Sequence, residues 1–306
     1  IAKHSKSDKI VIEKSTLPVR TAEKIKEILE ENSTDIHFEI LSNPEFLAEG
    51  TAIQDLFKSD RVLIGGDEIK SGQKAVQALV EIYSNWISKE KILTTNVWSS
   101  ELAKLASNAM LAQRISSINS LSALCEKTGA NIDELSKAIG MDHRIGPHFL
   151  KASVGFGGSC FQKDILNLVY LCKYYGLDEV AEYWHQVVKI NDYQKNRFAQ
   201  KIIDHFGGGL TGKRIAILGW AFKANTNDSR ESPAIYVAEK LFDEGATLKI
   251  YDPRVTKQSI LRDIKFYWKE IPDSKEVQNL IQVEMSIEDA CEKVDSIAVL
   301  TEWEAS

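Results

Sequence analysis

The chain has 306 residues, of which 43% are hydrophobic and 27% are charged, which is ordinary for a folded, water-soluble protein of two or three domains. The net charge is −6 and no basic block is present, so nucleic acid is not expected as a partner. No apolar run approaches the roughly 20 residues of a membrane helix, and no signal peptide is visible, so no membrane association is expected.

The four cysteines are scattered and form no C-x-x-C pair: Cys125, Cys160, Cys172 and Cys291. This pattern is typical of free thiols in a reducing compartment, so we expect a cytoplasmic protein without a metal site. The first residue is isoleucine, and residue 306 closely follows a strand-like run. We therefore expect the chain to be a longer protein cut at both ends.

Residues 1–97 alternate short apolar runs with amphipathic stretches. This alternation predicts a parallel sheet with helices on its faces, in which ligands lie at the carboxyl ends of the strands. Strands are predicted at Ile10–Ile12, Phe38–Leu41 and Arg61–Ile64, and helices at Arg20–Glu31 and Gln73–Trp86.

Thr16 and Glu45 each lie just after a predicted strand. Position alone favours ordinary turn chemistry for both, a helix-capping threonine and a solvent-facing glutamate. The dinucleotide fingerprint G-x-G-x-x-G followed by a helix occurs nowhere in the sequence, since the glycine-rich segments at 155–158 and 207–209 have the wrong context. Residues 1–97 are therefore either the remnant of a cofactor-binding domain or a domain that binds no dinucleotide.

Residues 98–208 are predicted to form a central helical domain. Its longest helix runs from Ser99 or Ser100 to Gly129, and small residues recur along it, which favours a domain spine or a homodimer seam. Lys104 and Asn108 lie four residues apart on one face of this helix. A lysine that leads an apolar stripe either snorkels to solvent or meets a ligand, and the sequence leaves both open.

The stretch from Gly155 to Asp164 joins a glycine turn to a helix. Ser159 and Gln162 have the spacing of a capping box, which predicts a helix start with Cys160 in its first turn. The peptide dipoles at a helix start favour negative charge, such as that of a thiolate. Asp164, one turn later, is placed to take a proton from water that attacks a group attached to the sulfur. The alternative is a buried structural cysteine.

The run Gly207–Gly209 marks a domain boundary. Beyond it, a second doubly wound domain is predicted at 209–306, with strands at Arg214–Leu218, Leu248–Tyr251 and Ser296–Leu300 and helices starting at Ser232 and Ser286. The long loop after its first strand carries Lys223 and Arg230. Charge alone favours solvated surface residues for both.

The sequence thus predicts an α/β protein with two partial, doubly wound, Rossmann-like domains joined by a central α domain. A thiolate, a Lys/Asn pair and a carboxylate between such domains would suit covalent aldehyde oxidation. The thiol adds to the aldehyde, hydride leaves, and water activated by a base releases the acid from the thioester. Lysine and asparagine side chains stabilise the developing oxyanion.

The chain resembles the nucleotide-sugar dehydrogenases, most closely those that act on UDP-glucose. The matching stretches are Glu13–Arg20, Leu41–Ala52, Arg61–Asp67, Trp98–Ser122, Lys151–Asp164 and, in looser form, Gly219–Ser232. They extend over nearly the whole chain. The resemblance implies that NAD⁺ oxidises UDP-glucose twice, to UDP-glucuronate, in a protein that is a homodimer through the 99–128 helix or a higher homo-oligomer.

The resemblance also implies individual roles. Cys160 matches the nucleophile and Asp164 the base. Lys104 and Asn108 match the pair that holds the oxyanion, and Thr16 and Glu45 match residues that position water and substrate. The matches to the cofactor site are Ser15, Glu49, Lys163 and Arg230. The matches to the substrate site are Phe46, Leu47, Arg144, Lys151, Phe156, Gly157, Phe222 and Lys223, of which Arg144 matches an arginine that reaches a neighbouring subunit's substrate.

The family's glycine fingerprint and acidic ribose ligand would precede residue 1, and further UDP contacts would follow residue 306. We therefore expect the chain as written neither to bind NAD tightly nor to turn over. Three alternatives stay open. They are a dehydrogenase for UDP-N-acetyl-hexosamines or GDP-mannose, a non-catalytic assembly module built on the long helix, and a one-step hydroxy-acid dehydrogenase in which Cys160 is dispensable.

Overall fold

The computed structural model describes residues 1–33, 35–268 and 279–304. It contains two compact units, residues 1–108 and 109–306. Helix α4 (Val97–Thr128) begins in the first unit and ends in the second. The division into three domains at 97 and 208 stays a prediction.

The first unit is built on a four-stranded sheet with the order β1-β2-β3-β4. The strands are β1 (Lys9–Glu13), β2 (Phe38–Ser42), β3 (Val62–Gly66) and β4 (Ile92–Asn96). The helices of this unit, besides the start of α4, are α1 (Thr21–Glu31), α2 (Ala52–Phe57) and α3 (Lys70–Tyr83), and short 3₁₀ turns lie at Ala2–His4 and Lys89–Lys91.

The sheet of the first unit is mixed. Strands β1 and β2 are parallel, and so are β3 and β4, but β2 and β3 pair antiparallel through Ser42 and Gly65. The prediction of an all-parallel sheet is wrong at this join. The β2–β3 connection, residues 43–61, is long enough for a parallel crossover, but it contains only the six-residue α2 and so lacks the long helix that usually covers the sheet in such a crossover.

The core of the first unit lies between its sheet and two helices. Helix α1 places Ala22 and Leu29 against Phe38 of β2. Helix α3 places Ala75 and Leu79 in a second cluster, with Leu41 and Ile64 of the strands. Apolar residues at helical spacing thus bury one face of each helix, as the sequence pattern indicates.

The second unit contains a parallel sheet with the order β7-β6-β5-β8. The strands are β5 (Arg214–Leu218), β6 (Thr247–Tyr251), β7 (Ile281–Val283) and β8 (Ser296–Val299). Within the described residues of this unit, the helices besides the rest of α4 are α5 (Ile132–Gly140), α6 (Phe161–Tyr174), α7 (Asp178–His205), α8 (Pro233–Asp243), α9 (Lys257–Tyr267) and α10 (Ile287–Cys291).

Two cores stabilise the second unit. In the first, Ile203 near the end of α7 packs with Ile217, Ile250 and the fully buried Trp220. In the second, small residues of α4 meet α6 and α7 in a cluster formed by Ala109, Ala112, Phe156, Ile165, Leu168, Val169, Cys172, Ala181, Val187 and Val188. The long helix therefore serves as a spine for α6 and α7, as its small residues predict.

The strand and helix order confirms the predicted α/β class, with a long helix between two sheet regions. Strands β4 and β7 and helices α2 and α9 were not predicted. Among the described residues, no helix has both the length and the apolar character to cross a membrane. Nor do His, Cys, Asp and Glu side chains in the described part of the chain gather in a group suited to a metal ion.

Candidate active site

The glycine turn before α6 is held on one side by helix α7. Asn191 of α7, which is fully buried, binds both backbone groups of Phe156: the Phe156 N–H donates to Asn191 Oδ1 at 2.8 Å, and Asn191 Nδ2 donates to the Phe156 carbonyl at 3.0 Å. Gly155 has φ +128°, and a Cβ there would lie 2.8 Å from Asn191 Oδ1. Both conditions require glycine at position 155.

The same turn is held on its other side by the loop that follows β5. The Gly158 N–H donates to the Arg230 carbonyl at 2.9 Å. A Cβ on Gly157 would lie 2.4 Å from the Glu231 carbonyl oxygen, and one on Gly158 would meet the Phe222 ring at 3.0 Å. Of the predicted substrate residues, Phe156 and Gly157 therefore lie on a turn that packs against the loop of Phe222.

Cys160 is the N-cap residue of α6, and its side chain is exposed. The Asp164 N–H donates to the Cys160 carbonyl at 2.9 Å, which places Asp164 one helical turn on. Asp164 is only 1% exposed, and its Oδ1 lies 3.6 Å from Lys163 Nζ. An accessible thiol is thus followed by a buried carboxylate on the same helix face.

The predicted capping box is wrong in its details. Helix α6 begins at Phe161 and has no side-chain cap, while the Ser159 hydroxyl lies 3.6 Å from Cys160 Sγ. The Gln162 side chain instead reaches the loop after β5, where its Nε2 donates to Glu231 Oε2 at 3.2 Å. The result is a second link between α6 and the loop after β5.

Glu231 therefore connects the loop after β5 to two helices, which the sequence did not indicate. Its Oε2 also accepts a hydrogen bond from the Tyr236 hydroxyl of α8 at 2.6 Å. Burial and then this hydrogen bond raise the pKa of Tyr236 above its ordinary value, so the phenol stays protonated and keeps donating. The backbone of Glu231 has φ 54°, which is unusual for a residue with a side chain.

In the first unit, Lys104 and Asn108 are 8% and 7% exposed. The Lys104 ammonium lies 5.3 Å from the centre of the Phe46 ring, and the Arg61 guanidinium lies 3.8 Å from the same ring centre. A lysine with so little exposed surface does not extend its head group into solvent. The snorkelling interpretation of Lys104 is thus wrong, and two residues of the predicted site, Lys104 and Phe46, are in contact.

The turn that carries Ser15 and Thr16 leads from β1 into α1. Glu101 of α4 holds the end of this turn, because its carboxylate accepts hydrogen bonds from the Arg20 N–H at 2.7 Å and the Ala22 N–H at 2.9 Å. Thr16 is half-buried and Ser15 is exposed. Thr16 thus lies between β1 and α1, in a connection whose end, at Arg20, a buried carboxylate fixes.

Asn43, which sequence reasoning missed, organises the loop of Glu45. Its Nδ2 donates to the Leu63 carbonyl at 2.7 Å, and its Oδ1 accepts from Lys14 Nζ at 3.0 Å and from the Tyr83 hydroxyl at 2.8 Å. Asn43 is 1% exposed. A polar residue directly after a fully buried strand was the available signal, because a buried amide must find partners.

The remaining predicted residues lie nearer the surface. Glu45, Phe46, Leu47 and Lys223 are half-buried, and Glu49 is exposed. Three exposed cations are paired with carboxylates: Arg144 with Asp142 at 2.6 Å, Lys151 with Glu302 at 2.6 Å and Arg230 with Asp228 at 2.7 Å. Thr16, Glu45, Lys104 and Asn108 belong to the first unit, and Cys160 and Asp164 belong to the second. Their meeting in one constellation stays a prediction.

Three models of one family match the chain in succession. They are the NAD binding domain of the UDP-glucose/GDP-mannose dehydrogenase family at residues 1–87, its central domain at 98–193 and its UDP binding domain at 216–305. Together they include all the predicted site residues.

Curated relatives show the same likeness over the whole chain. UDP-glucose 6-dehydrogenase 5 of Oryza sativa subsp. japonica is 57% identical over 99% of this chain, and UDP-glucose 6-dehydrogenase of Gallus gallus is 56% identical over 99%. The chain spans 65% and 61% of the lengths of these two relatives. Among solved structures, a UDP-glucose dehydrogenase from the hyperthermophilic archaeon Pyrobaculum islandicum aligns with a TM-score of 0.85 at 30% identity, over 99% of this chain and 65% of its own.

Proposed function

Because the chain belongs to the UDP-glucose/GDP-mannose dehydrogenase family, we propose that its full-length protein is an NAD-dependent UDP-glucose 6-dehydrogenase. We assign the activity to the full-length protein because the chain spans 65% of the length of its plant relative. The observation that carries the proposal is the exposed thiol of Cys160, set at the start of α6 with the buried carboxylate of Asp164 one turn away.

The chemistry requires two oxidations at one carbon of the sugar. Bound NAD⁺ would accept a hydride in each. In the first, the sugar's primary alcohol loses a proton and a hydride and becomes an aldehyde. The Cys160 thiolate then adds to the aldehyde carbon, and loss of a second hydride converts the thiohemiacetal to a thioester. Water displaces the sulfur, which yields the carboxylate and regenerates the thiol.

Lys104, Asn108 and Asp164 suit the charges that develop in this sequence. A buried ammonium and a buried amide stabilise an oxyanion more strongly than they would in water, because the surrounding dielectric is low. Asp164 is 1% exposed and is fixed on a helix, so its carboxylate is preorganised to take a proton from the attacking water. Thr16 and Glu45 would position water and substrate from the loops after β1 and β2.

Two residues beside the glycine turn fit a dinucleotide. Lys163 lies in the first turn of α6, and Arg230 offers its carbonyl to Gly158. Their side chains are 62% and 63% exposed, so both cationic heads are accessible to the anionic phosphates of NAD. We assign them to the cofactor, together with Ser15 and Glu49 of the first unit.

The nucleotide end of the substrate is assigned to the loop after β5 and to neighbouring cations. Phe222 packs against Gly157 and Gly158, and the Lys223 ammonium lies 5.5 Å from the Phe222 ring centre. Lys223 would meet the UDP phosphates, and Phe46, Leu47, Lys151, Phe156 and Gly157 would line the rest of the substrate. Arg144 is exposed, which suits an arginine that reaches the substrate of a neighbouring subunit.

We assign the homodimer seam to α4, with a higher homo-oligomer as an extension of it. Large apolar side chains along this helix are exposed in the single chain: Trp98, Leu102, Met110, Leu121 and Leu124. Association would remove this apolar surface from water. The four cysteines are all free, which supports a reducing, cytoplasmic setting.

The test is an assay of the full-length protein with NAD⁺ and a panel of nucleotide sugars. We expect two NADH per UDP-glucose, and little turnover of UDP-N-acetyl-hexosamines or GDP-mannose. Cys160→Ser abolishes the second oxidation, whereas the control Cys291→Ser, at a half-buried cysteine of α10, leaves it unchanged. If the full-length Cys160→Ser protein keeps its whole biological role, the non-catalytic assembly module is favoured. If the Cys160→Ser enzyme still forms NADH at the wild-type rate, a one-step dehydrogenase in which Cys160 is dispensable is favoured.

A further inference from the structure

We propose that Asn191 is a positioning residue that fixes the turn before Cys160 and thereby holds the thiol in place for catalysis. The catalytic part of this inference rests on the proposed function, whereas the structural part does not. Asn191 lies on α7, and its side chain acts on the nucleophile only through the backbone of Phe156.

Asn191 binds the backbone of Phe156 through both the oxygen and the nitrogen of its side-chain amide. Oδ1 accepts the Phe156 N–H at 2.8 Å, and Nδ2 donates to the Phe156 carbonyl at 3.0 Å. One side chain therefore satisfies both backbone groups of a buried residue, which would otherwise cost free energy. An aspartate of the same shape keeps the acceptor but places an oxygen against the Phe156 carbonyl.

The two Asn191 hydrogen bonds to the Phe156 backbone form a clamp on the turn. Two further amide side chains extend this clamp to residue 153. The Ser153 N–H donates to Asn119 Oδ1 of α4 at 2.8 Å, and Gln194 Nε2 of α7 donates to the Ser153 carbonyl at 2.6 Å. Three buried amide side chains thus hold the backbone of residues 153–156 against two helices. A turn held at both ends in this way has little freedom to shift.

The side chain of Phe156 links the position of the turn to the position of α6 by a direct ring contact. Phe156 is 5% exposed, and its ring meets the edge of the Phe161 ring with centroids 5.8 Å apart. Phe161 is the first residue of α6 and directly follows Cys160. A shift of Phe156 therefore moves the residue beside the thiol, and a misplacement of about 1 Å can lower a rate by about 100-fold.

Asn191→Asp tests the clamp, because it preserves shape and volume and removes one donor. The matched control is Asn196→Asp, at an exposed asparagine on the same helix whose Nδ2 donates to the Asp192 carbonyl. A second variant, Gly155→Ala, perturbs the same contact from the turn and leaves α7 intact. Its control is Gly176→Ala, since Gly176 also has positive φ but has no atom within 4 Å of an added Cβ.

Two readouts are measured on each variant. Hydrogen exchange of the Phe156 amide, with thermal unfolding as a check of the fold, reports the clamp. Steady-state NADH formation by the full-length protein reports its catalytic effect. We expect both test variants to exchange the Phe156 amide at least about tenfold faster. We also expect kcat to fall about tenfold or more, while KM for UDP-glucose changes by less than about threefold.

Wild-type exchange at Phe156 together with wild-type kcat in Asn191→Asp would overturn the inference. So would a loss of kcat of equal size in Asn196→Asp. If Asn191→Asp does not fold, Gly155→Ala decides by the same two readouts against Gly176→Ala. If the wild type oxidises no nucleotide sugar, the proposed function fails, and faster exchange of the Phe156 amide still establishes the clamp.

Discussion

The carboxyl groups of Glu13 and Glu101 share a hydrogen bond inside the first unit, at 7% and 4% exposure. Two carboxyl groups in such contact share a proton, because both cannot be ionised cheaply at close range. Burial and then the charge of Glu101 raise the pKa of Glu13 to about 7. Burial raises the pKa of Glu101 as well, but the hydrogen bonds that its carboxylate accepts from the Ala22 and Arg20 N–H groups act against that rise, so we assign the shared proton to Glu13.

This pair predicts that the stability of the first unit falls as pH rises from about 4.5 to about 7. The folded state binds the Glu13 proton more tightly than the unfolded state, so the stabilisation is complete below the unfolded pKa and is lost as pH passes through the folded pKa. A shift of this size corresponds to at most about 3 kcal/mol of unfolding free energy, and solvent screening reduces the change further. Urea unfolding at a series of pH values, followed by a probe in the first unit, measures it.

Glu13→Gln supplies the matched variant, since its amide donates to Glu101 at every pH. We expect this variant to be more stable than the wild type at pH 8 and to show a flatter pH dependence. The control Glu30→Gln alters an exposed carboxylate of α1 and should leave the slope unchanged. A slope in Glu13→Gln as steep as that of the wild type would contradict the shared proton.

Asp252, which directly follows β6, is expected to stabilise the fold through four backbone hydrogen bonds. Its Oδ2 accepts the N–H groups of Trp220 at 2.7 Å and Ala221 at 3.0 Å, and its Oδ1 accepts those of Arg254 and Val255, both at 2.8 Å. Asp252→Asn turns an amide N–H₂ toward these donors, so buried N–H groups lose their acceptor. We expect a loss of about 2–4 kcal/mol in unfolding free energy, measured by denaturant titration.

The control for this change is Asp243→Asn, at an exposed position near the end of α8. It removes one charge from the same part of the chain without removing a buried acceptor. Equal stability losses in the two variants would show that net charge, rather than the loss of hydrogen bonds at position 252, is responsible.

Much of the fold follows from local pattern. Strand β5 begins and ends where its apolar run predicts, and α5 has a local cap, with Asn131 Oδ1 accepting the N–H groups of Asp133 at 2.8 Å and Glu134 at 3.2 Å. Both features depend on residues close in sequence. The antiparallel join of β2 and β3 was missed, because strand direction depends on the connection rather than on the strands.

The candidate site likewise contains a local part that the sequence predicts and a long-range part that it does not. Cys160 and Asp164 are four residues apart, so one helix places them together, and their relation was predictable. Asn191 and Glu231 touch the turn of Cys160 from 31 and 71 residues further along the printed sequence. A single sequence shows no pairing between such distant residues, and a buried asparagine in a long helix resembles an exposed one until its partners are known.

Asp164→Asn predicts an arrested second half-reaction in the full-length protein. The amide keeps the shape of the carboxylate but accepts no proton from water, so thioester hydrolysis slows while thioester formation persists. We expect NADH formation to fall by about 10²-fold or more after the first turnover, with a mass increment on the Cys160 peptide. Mass spectrometry of acid-quenched protein detects the adduct.

Asp178→Asn, at an exposed residue in the first turn of α7, is the control for the lost carboxylate. It should neither accumulate the adduct nor slow the reaction. Asp164→Asn protein that is slow but carries no adduct on Cys160 would place Asp164 in the first oxidation instead of in hydrolysis.

Gly157→Ala tests the contact between the glycine turn and the loop after β5. A Cβ there would lie 2.4 Å from the Glu231 carbonyl oxygen and 3.0 Å from Phe222 Cβ, so the turn and the loop must separate. Overpacking of this kind costs about 1–3 kcal/mol of unfolding free energy. Because Phe222 and Lys223 lie on the displaced loop, KM for UDP-glucose should also rise, by about tenfold for each 1.4 kcal/mol of lost binding.

Gly209→Ala is the matched control, since a Cβ at Gly209 has no atom within 4 Å. A Gly157→Ala protein with unchanged stability and unchanged KM would show that this contact is not needed to shape the nucleotide loop.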